Sequence, residues 1–122
     1  MIVVDGNNVM GSRPDGWWRD RAGAAARLAT QIGAWASDVD EEVVVVFDGR
    51  RPAGFADPPG VRVLFAERAG RDAADDVIAG VVADDPAPEQ LRVVTSDAGL
   101  AERVRAHGAE VLGSRGFRER LG

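Results

Sequence analysis

Three apolar runs in this chain each end on an aspartate: "MIVVD" on Asp5, "EVVVVFD" on Asp48 and "LRVVTSD" on Asp97. A further acidic group, Asp72, Asp75 and Asp76, opens the segment "RDAADDVIAGVVADD". Carboxylates brought together repel, at a cost of about 4 kcal/mol for a pair about 4 Å apart at an effective dielectric near 20. Protonation, an arginine partner or a hard divalent cation can offset that cost. With no cysteine and one histidine in the chain, oxygen ligands and a cation such as Mg²⁺ or Mn²⁺ are the favoured solution. Each acid also has a plainer reading. Asp72, with Asp75 three residues on, imitates a helix-capping box. Asp48 before Gly49 suits a turn. Asp97 suits a helix cap, a job Ser96 could also do. Asp5 resists such a reading, because Asn8 at D-x-x-N spacing aims a second polar group at the same place.

The elements around these acids alternate. "MIVVD" is too short for a helix and rich in β-branched residues, so it predicts a buried strand. "EVVVVFDG", residues 42–49, is continuously apolar before its acid, as in a parallel strand covered on both faces. After the Pro- and Gly-rich "RRPAGFADPPG", the alternating "VRVLFAE" predicts a more peripheral strand, and "LRVVTSD" and "AEVLG" two further ones. Between them, residues 17–37 place Trp18, Ala22, Ala25, Leu28, Ala29, Ile32 and Trp35 at helical spacing, which puts Trp18 and Trp35 in the core. Val77, Ile78, Val81 and Val82 share a face of the next helix. "AGLAERVRAHG" is a third, closed by Gly108, and "SRGFRERL" a short terminal one. Strands alternating with helices imply an α/β fold with a parallel sheet. Ligands bind such sheets outside the carboxyl ends of the strands, where Asp5, Asp48 and Asp97 would stand.

Composition narrows the chemistry. The 122 residues suit one domain, 1–122, with no repeat or linker, and 45% hydrophobic content with 6 Pro is that of a folded chain. The absence of cysteine excludes disulfides, thiolate catalysis and zinc-thiolate sites. No leader-like or membrane-length apolar run occurs, so a cytoplasmic protein with no membrane partner is expected. The net charge of -5 argues against a wholly basic nucleic-acid coat, yet all 15 cations are arginine. Arginine forks suit phosphate, although GC-rich codon usage gives the same bias. Without lysine, P-loop, response-regulator and haloacid-dehalogenase readings weaken. His107, beside a helix-terminal Gly, is a poor catalytic candidate, so acyl-transfer chemistry has no base.

The stretches "VVDGNNVM", "VVVVFDG", "GRDAADDVIAGVV" and "VVTSDAGLAERVRAHGAEVLGSRGF", in this order, resemble the NYN domain of the PIN-like nuclease superfamily, closest to its YacP-like branch of bacterial ribonucleases and RNA-binding proteins. The resemblance covers nearly the whole chain. It implies a three-layer PIN-like fold, a central parallel sheet of strand order 3-2-1-4-5 flanked by helices. It also implies an acidic pocket that holds Mg²⁺ or Mn²⁺ to hydrolyse RNA. Asp5 matches the family's first metal-binding acid, Asn8 its accompanying polar residue, Asp75 and Asp76 the A-D-D signature, Asp97 the T-S-D end and Asp48 the less uniform F-D-G position. Asn7 stands where the branch typically has Tyr. The link between Asp48 and Val61 is short where PIN-like domains often insert a helix with another acid.

The resulting expectation is a metal-dependent ribonuclease, an endoribonuclease, with Asp5, Asp75 and Asp97 as catalytic acids and Asp5, Asp48, Asp75, Asp76 and Asp97 as metal ligands. Asn8 and Ser96 are polar contacts to substrate. Arg13, Arg50, Arg51 and Arg71 would steer a phosphate backbone, and Trp17 would stack an unpaired base. The rivals are a non-catalytic RNA-binding or ribosome-associated module and the toxin of a toxin-antitoxin pair. Small domains of this superfamily often form homodimers, and no apolar stripe here decides that question.

Overall fold

A computed structural model of the chain describes residues 1–70 and 72–122. Five strands, β1 (Ile2–Asp5), β2 (Val43–Phe47), β3 (Val61–Phe65), β4 (Arg92–Val94) and β5 (Glu110–Leu112), form one sheet. Their order is β3-β2-β1-β4-β5, as the family resemblance implied, and every pairing is parallel, as the alternation of strands and helices implied. Five helices connect them: α1 (Gly6–Met10), α2 (Arg21–Ala36), α3 (Ala73–Asp84), α4 (Ala98–Arg105) and α5 (Ser114–Leu121).

Strand alternation sorts the core into two halves. Ile2, Val4, Val43, Val45, Phe47, Val61, Val63 and Val94 turn toward α1, α2 and α5. Val3, Val44, Val46 and Val93 turn toward α3 and α4, where Ile78, Val82, Leu100 and Val104 meet them. Residues 43–47 are buried throughout, which is why that strand reads as an unbroken apolar run. The more mixed β3 lies at the sheet edge, as its alternation predicted. Among the described residues no helix is long and apolar enough to cross a membrane.

Two expectations change. The helix expected over residues 17–37 is divided: Trp17–Arg19 form a 3₁₀ turn, and α2 begins only after Asp20, whose carboxylate accepts the Gly23 N–H at 3.0 Å. Set outside α2 by that break, Trp18 leaves the helical face that periodicity assigned it and is 49% exposed rather than core. Trp35 does pack on the core, edge-on to Phe117 at 5.1 Å between ring centroids. Residues 6–10, to which the sequence pattern assigned no element, form α1 directly on Asp5. Gly6 permits it: a Cβ there would stand 2.5 Å from the Phe47 ring and 2.9 Å from the Val46 carbonyl. The D-G pair thus marks a close approach of backbone to its neighbour strand.

Candidate active site

Asp5 continues the alternation of β1 in phase with Val3, so its carboxylate falls on the side of the sheet covered by α3 and α4. Thr95 continues β4 in phase with Val93 and falls on the same side. The Thr95 hydroxyl donates to Asp5 Oδ2 at 2.8 Å, and Thr95 Oγ1 accepts the Asp97 N–H at 3.1 Å. Asp97 Oδ1 in turn accepts the Leu100 N–H at 2.9 Å. Asp97 therefore caps α4 and lines the site at once, because a cap at the first turn of a helix that opens on the carboxyl edge of the sheet faces the same space. Asp72 occupies the cap position of α3, but its side chain makes no capping bond.

The two asparagines act as clamps. Asn7 Oδ1 accepts the Asp48 N–H at 2.7 Å, which ties α1 to the turn after β2. Asn8 Oδ1 accepts the Ser96 N–H at 2.8 Å and the Ser114 hydroxyl, and Ser96 Oγ accepts the Ser114 N–H at 2.9 Å. The oxygens of Asn8 and Ser96, expected to meet substrate, are thus spent on joining α1, the β4 end and α5.

Above these clamps lies a cleft of about 420 Å³, lined by Asp5, Asn7, Asn8, Trp17, Arg21, Asp48, Ala74, Asp75 and Asp97. Burial is the main cause that pushes the Asp5 carboxyl up to about 6; Asp75 and Asp97 add to it, while the Thr95 hydroxyl opposes it. Asp75 is raised too, by burial first and then by Asp97 and Asp72. Asp76 goes the other way. It points out of the cleft and bridges Arg103 at 3.0 Å and Arg68 at 2.6 Å, and the Arg103 hydrogen bond leads in holding its carboxyl below the usual range. Consecutive helical residues project about 100° apart, so only one acid of the A-D-D pair can face the site.

Of the expected metal ligands, Asp5, Asp48, Asp75 and Asp97 share the cleft and Asp76 does not. Among the described residues, no three Asp, Glu or His side chains already stand at the spacing of one ion's ligands. The donor set is nevertheless all oxygen, and its most buried member is destabilised as an anion by burial first and then by two neighbouring acids. That fits a hard cation held through one or two carboxylates, with water completing its shell.

The expected phosphate contacts separate. Arg50 stands in a side pocket beside Asp48, Asn7 and Arg21. Arg13 lies in a second cleft on the other side of Trp17. Arg51 is committed to the fold rather than to the site: it donates to Asp57 at 2.9 Å and to the Val63 carbonyl at 2.5 Å, and its guanidinium stacks over Phe55 and Phe65. Arg71 lies outside the described residues. Three functional candidates were missed. Thr95 was visible in the T-S-D motif, in phase with the buried Val93. Asn7 was passed over as a missing Tyr. Arg21, which lines the cleft with its guanidinium 5.3 Å from the Trp17 ring, sits four residues after that tryptophan.

A parallel five-stranded sheet in this order, with acids gathered at its carboxyl edge, defines an α/β domain of the PIN-like nuclease class. Within that class the chain belongs to the family of YacP-like NYN domains, whose sequence profile matches residues 2–122. Its fold is similar to the crystal structure of Rae1 (YacP) from Bacillus subtilis, with a TM-score of 0.78 at 24% identity over 99% of this chain and 72% of that one. The W164L mutant of the same protein gives 0.75 at 24% identity over 98% and 72%. No curated protein sequence matches the chain significantly.

Proposed function

We propose that the chain is a cytoplasmic, metal-dependent endoribonuclease that hydrolyses RNA phosphodiesters in the acidic cleft. The observation that carries this reading is the meeting of Asp5, Asp75 and Asp97 from β1, α3 and the β4–α4 turn in one cleft, with the innermost carboxyl driven toward its protonated form. A cleft built only to be stable would not bury an acid beside two others. Asp5, Asp75 and Asp97, with Asp48 at the rim, are the oxygens that would hold Mg²⁺ or Mn²⁺. Bound there, the cation supplies an activated water and neutralises charge on the phosphate.

The chain's own residues do the positioning. Thr95 fixes the Asp5 carboxylate through its Oδ2. The Asn7 and Asn8 clamps hold β1, β2 and β4 ends in register, so the acids cannot splay under their mutual repulsion. Trp17, half-buried at the cleft wall, offers an aromatic face to an unpaired base, and Arg21 and Arg50 bring positive charge to an otherwise anionic rim.

A non-catalytic RNA-binding or ribosome-associated role is the second reading. It is favoured by the lack, among the described residues, of three acids already at ligand spacing. Cleavage of labelled single-stranded and structured RNA with Mn²⁺, Mg²⁺ or EDTA separates the two. The expected result is metal-dependent cutting that falls at least about 100-fold in an Asp5→Asn, Asp97→Asn double variant. RNA bound but uncut on every substrate would establish the second reading instead.

A further inference from the structure

Beyond Trp17 from the acidic cleft lies a second hollow of about 200 Å³, lined by Met10, Arg13, Asp15, Trp17, Arg27 and Arg118 among others. Its charge is opposite to that of its neighbour: three arginines and one aspartate. Arg118 is its fixed wall. Though only 8% exposed, it carries a full charge into the protein, donating to the Val9 carbonyl at 3.2 Å and to Asp15 Oδ2 at 3.1 Å, while its Nε has no partner. Asp15 is a partial counterion, since its side chain is 46% exposed. Neither Arg13 nor Arg27 has an acidic partner within ion-pair distance among the described residues.

A buried arginine of this kind is costly unless something anionic repays it. Arg13 and Arg27 line the same hollow, and Arg13 adds a like charge beside the Arg118 guanidinium. The overall charge of -5 makes the arrangement sharper, because a polyanion approaching the acidic cleft gains nothing from the molecule's net field and must find local cations. Trp17 lines both hollows, so a strand whose base stacks on its ring passes from one to the other.

We infer that the Arg13–Arg27–Arg118 hollow is a backbone subsite that holds an internal phosphodiester of single-stranded RNA beside the nucleotide stacked on Trp17. The inference rests on the RNA reading of the acidic cleft and extends the footprint across the wall of that cleft. Arg118 supplies a preset guanidinium, and Arg13 and Arg27 close on the phosphate from the rim.

The test is the salt dependence of RNA binding, read by fluorescence anisotropy in an Asp5→Asn, Asp97→Asn background that keeps the RNA intact. Removing one arginine–phosphate pairing lowers the slope of log K against log salt by about 0.7 for a single strand. The Arg13→Gln, Arg27→Gln double variant should lower it by about that amount and each single variant by part of it, while Arg27→Lys keeps the parent slope. Arg62→Gln, on the edge strand, should leave it unchanged. Thermal melts confirm that these rim variants fold. RNA bound with slopes equal to the parent would overturn the subsite and leave the ribonuclease reading standing. Failure of both parent and wild type to bind RNA would overturn both. The same oligonucleotide with a 5′-phosphate and a 5′-hydroxyl separates the sources: equal effects support an internal phosphodiester, and an effect confined to the 5′-phosphate overturns it in favour of a terminal one.

Discussion

Asp5 shows how a site residue works against its own fold. Its carboxyl sits at about 6 in the native state against an ordinary value of 3.8. A raised acid favours folding in full below the lower value, and that contribution disappears as pH climbs through the upper one. Above pH 6 the ionised group therefore costs about 3 kcal/mol, since each tenfold change in proton affinity is worth about 1.4 kcal/mol. In metal-free buffer Asp5→Asn should raise stability at pH 7.5 and leave it nearly unchanged at pH 4, flattening the curve between; denaturant melts across that range check it, and equal stability at pH 7.5 would contradict it. Residue type and position made Asp5, Asp75 and Asp97 legible in the sequence. Asp76 and Arg51 were misread because their roles depend on which way a side chain leaves its helix or loop. Arg68 and Arg103 claim Asp76, and Asp57, Phe55 and Phe65 claim Arg51.

At the scale of elements, all five strands were readable in place, although the one read over 91–97 closes to Arg92–Val94, with Asp97 already capping α4. Helix α1 was not. Five residues carry no period, and its presence is dictated by the fit of Gly6 against β2 rather than by propensity. The same close approach gives a prediction. Gly6→Ala drives a methyl into the Phe47 ring and the Val46 carbonyl, so α1 must shift and take the Asn7 and Asn8 clamps with it. The expected cost is about 1–3 kcal/mol, with a loss of cleavage larger than the lost stability explains. Activity measured well below the melting temperature tells the two apart, and wild-type activity there would show that the clamps do not govern the acids. The break before α2 was missed for a related reason: helical spacing continues through Trp17 and Trp18, but Asp20 captures the Gly23 N–H and starts the helix afresh.

The whole molecule is a net anion that carries four of its acids in one hollow and three of its arginines in the next, with Trp17 lining both. If the acidic cleft takes a divalent cation, binding to the native state alone stabilises it by mass action, by about 2.7 kcal/mol at 100 times Kd. Mn²⁺ or Mg²⁺ should thus raise Tm by several degrees in wild type, and by clearly less in Asp5→Asn, since that variant has already shed the repulsion the ion relieves. Equal increases measured by calorimetry would place the ion elsewhere. The parallel sheet and its strand order were foreseeable from alternation and family likeness, but the pairing of the two clefts was not, because Arg27 and Arg118 lie 91 positions apart on α2 and α5 and only the folded chain brings them together. The burial of Asp5 also sets a direction for descent. A lineage released from the need to cut RNA would find its first neutralising change at that position rewarded by a sturdier protein, while the arginines and the fold remained. Loss of cutting in such a lineage would run downhill toward a relative that holds RNA without cleaving it.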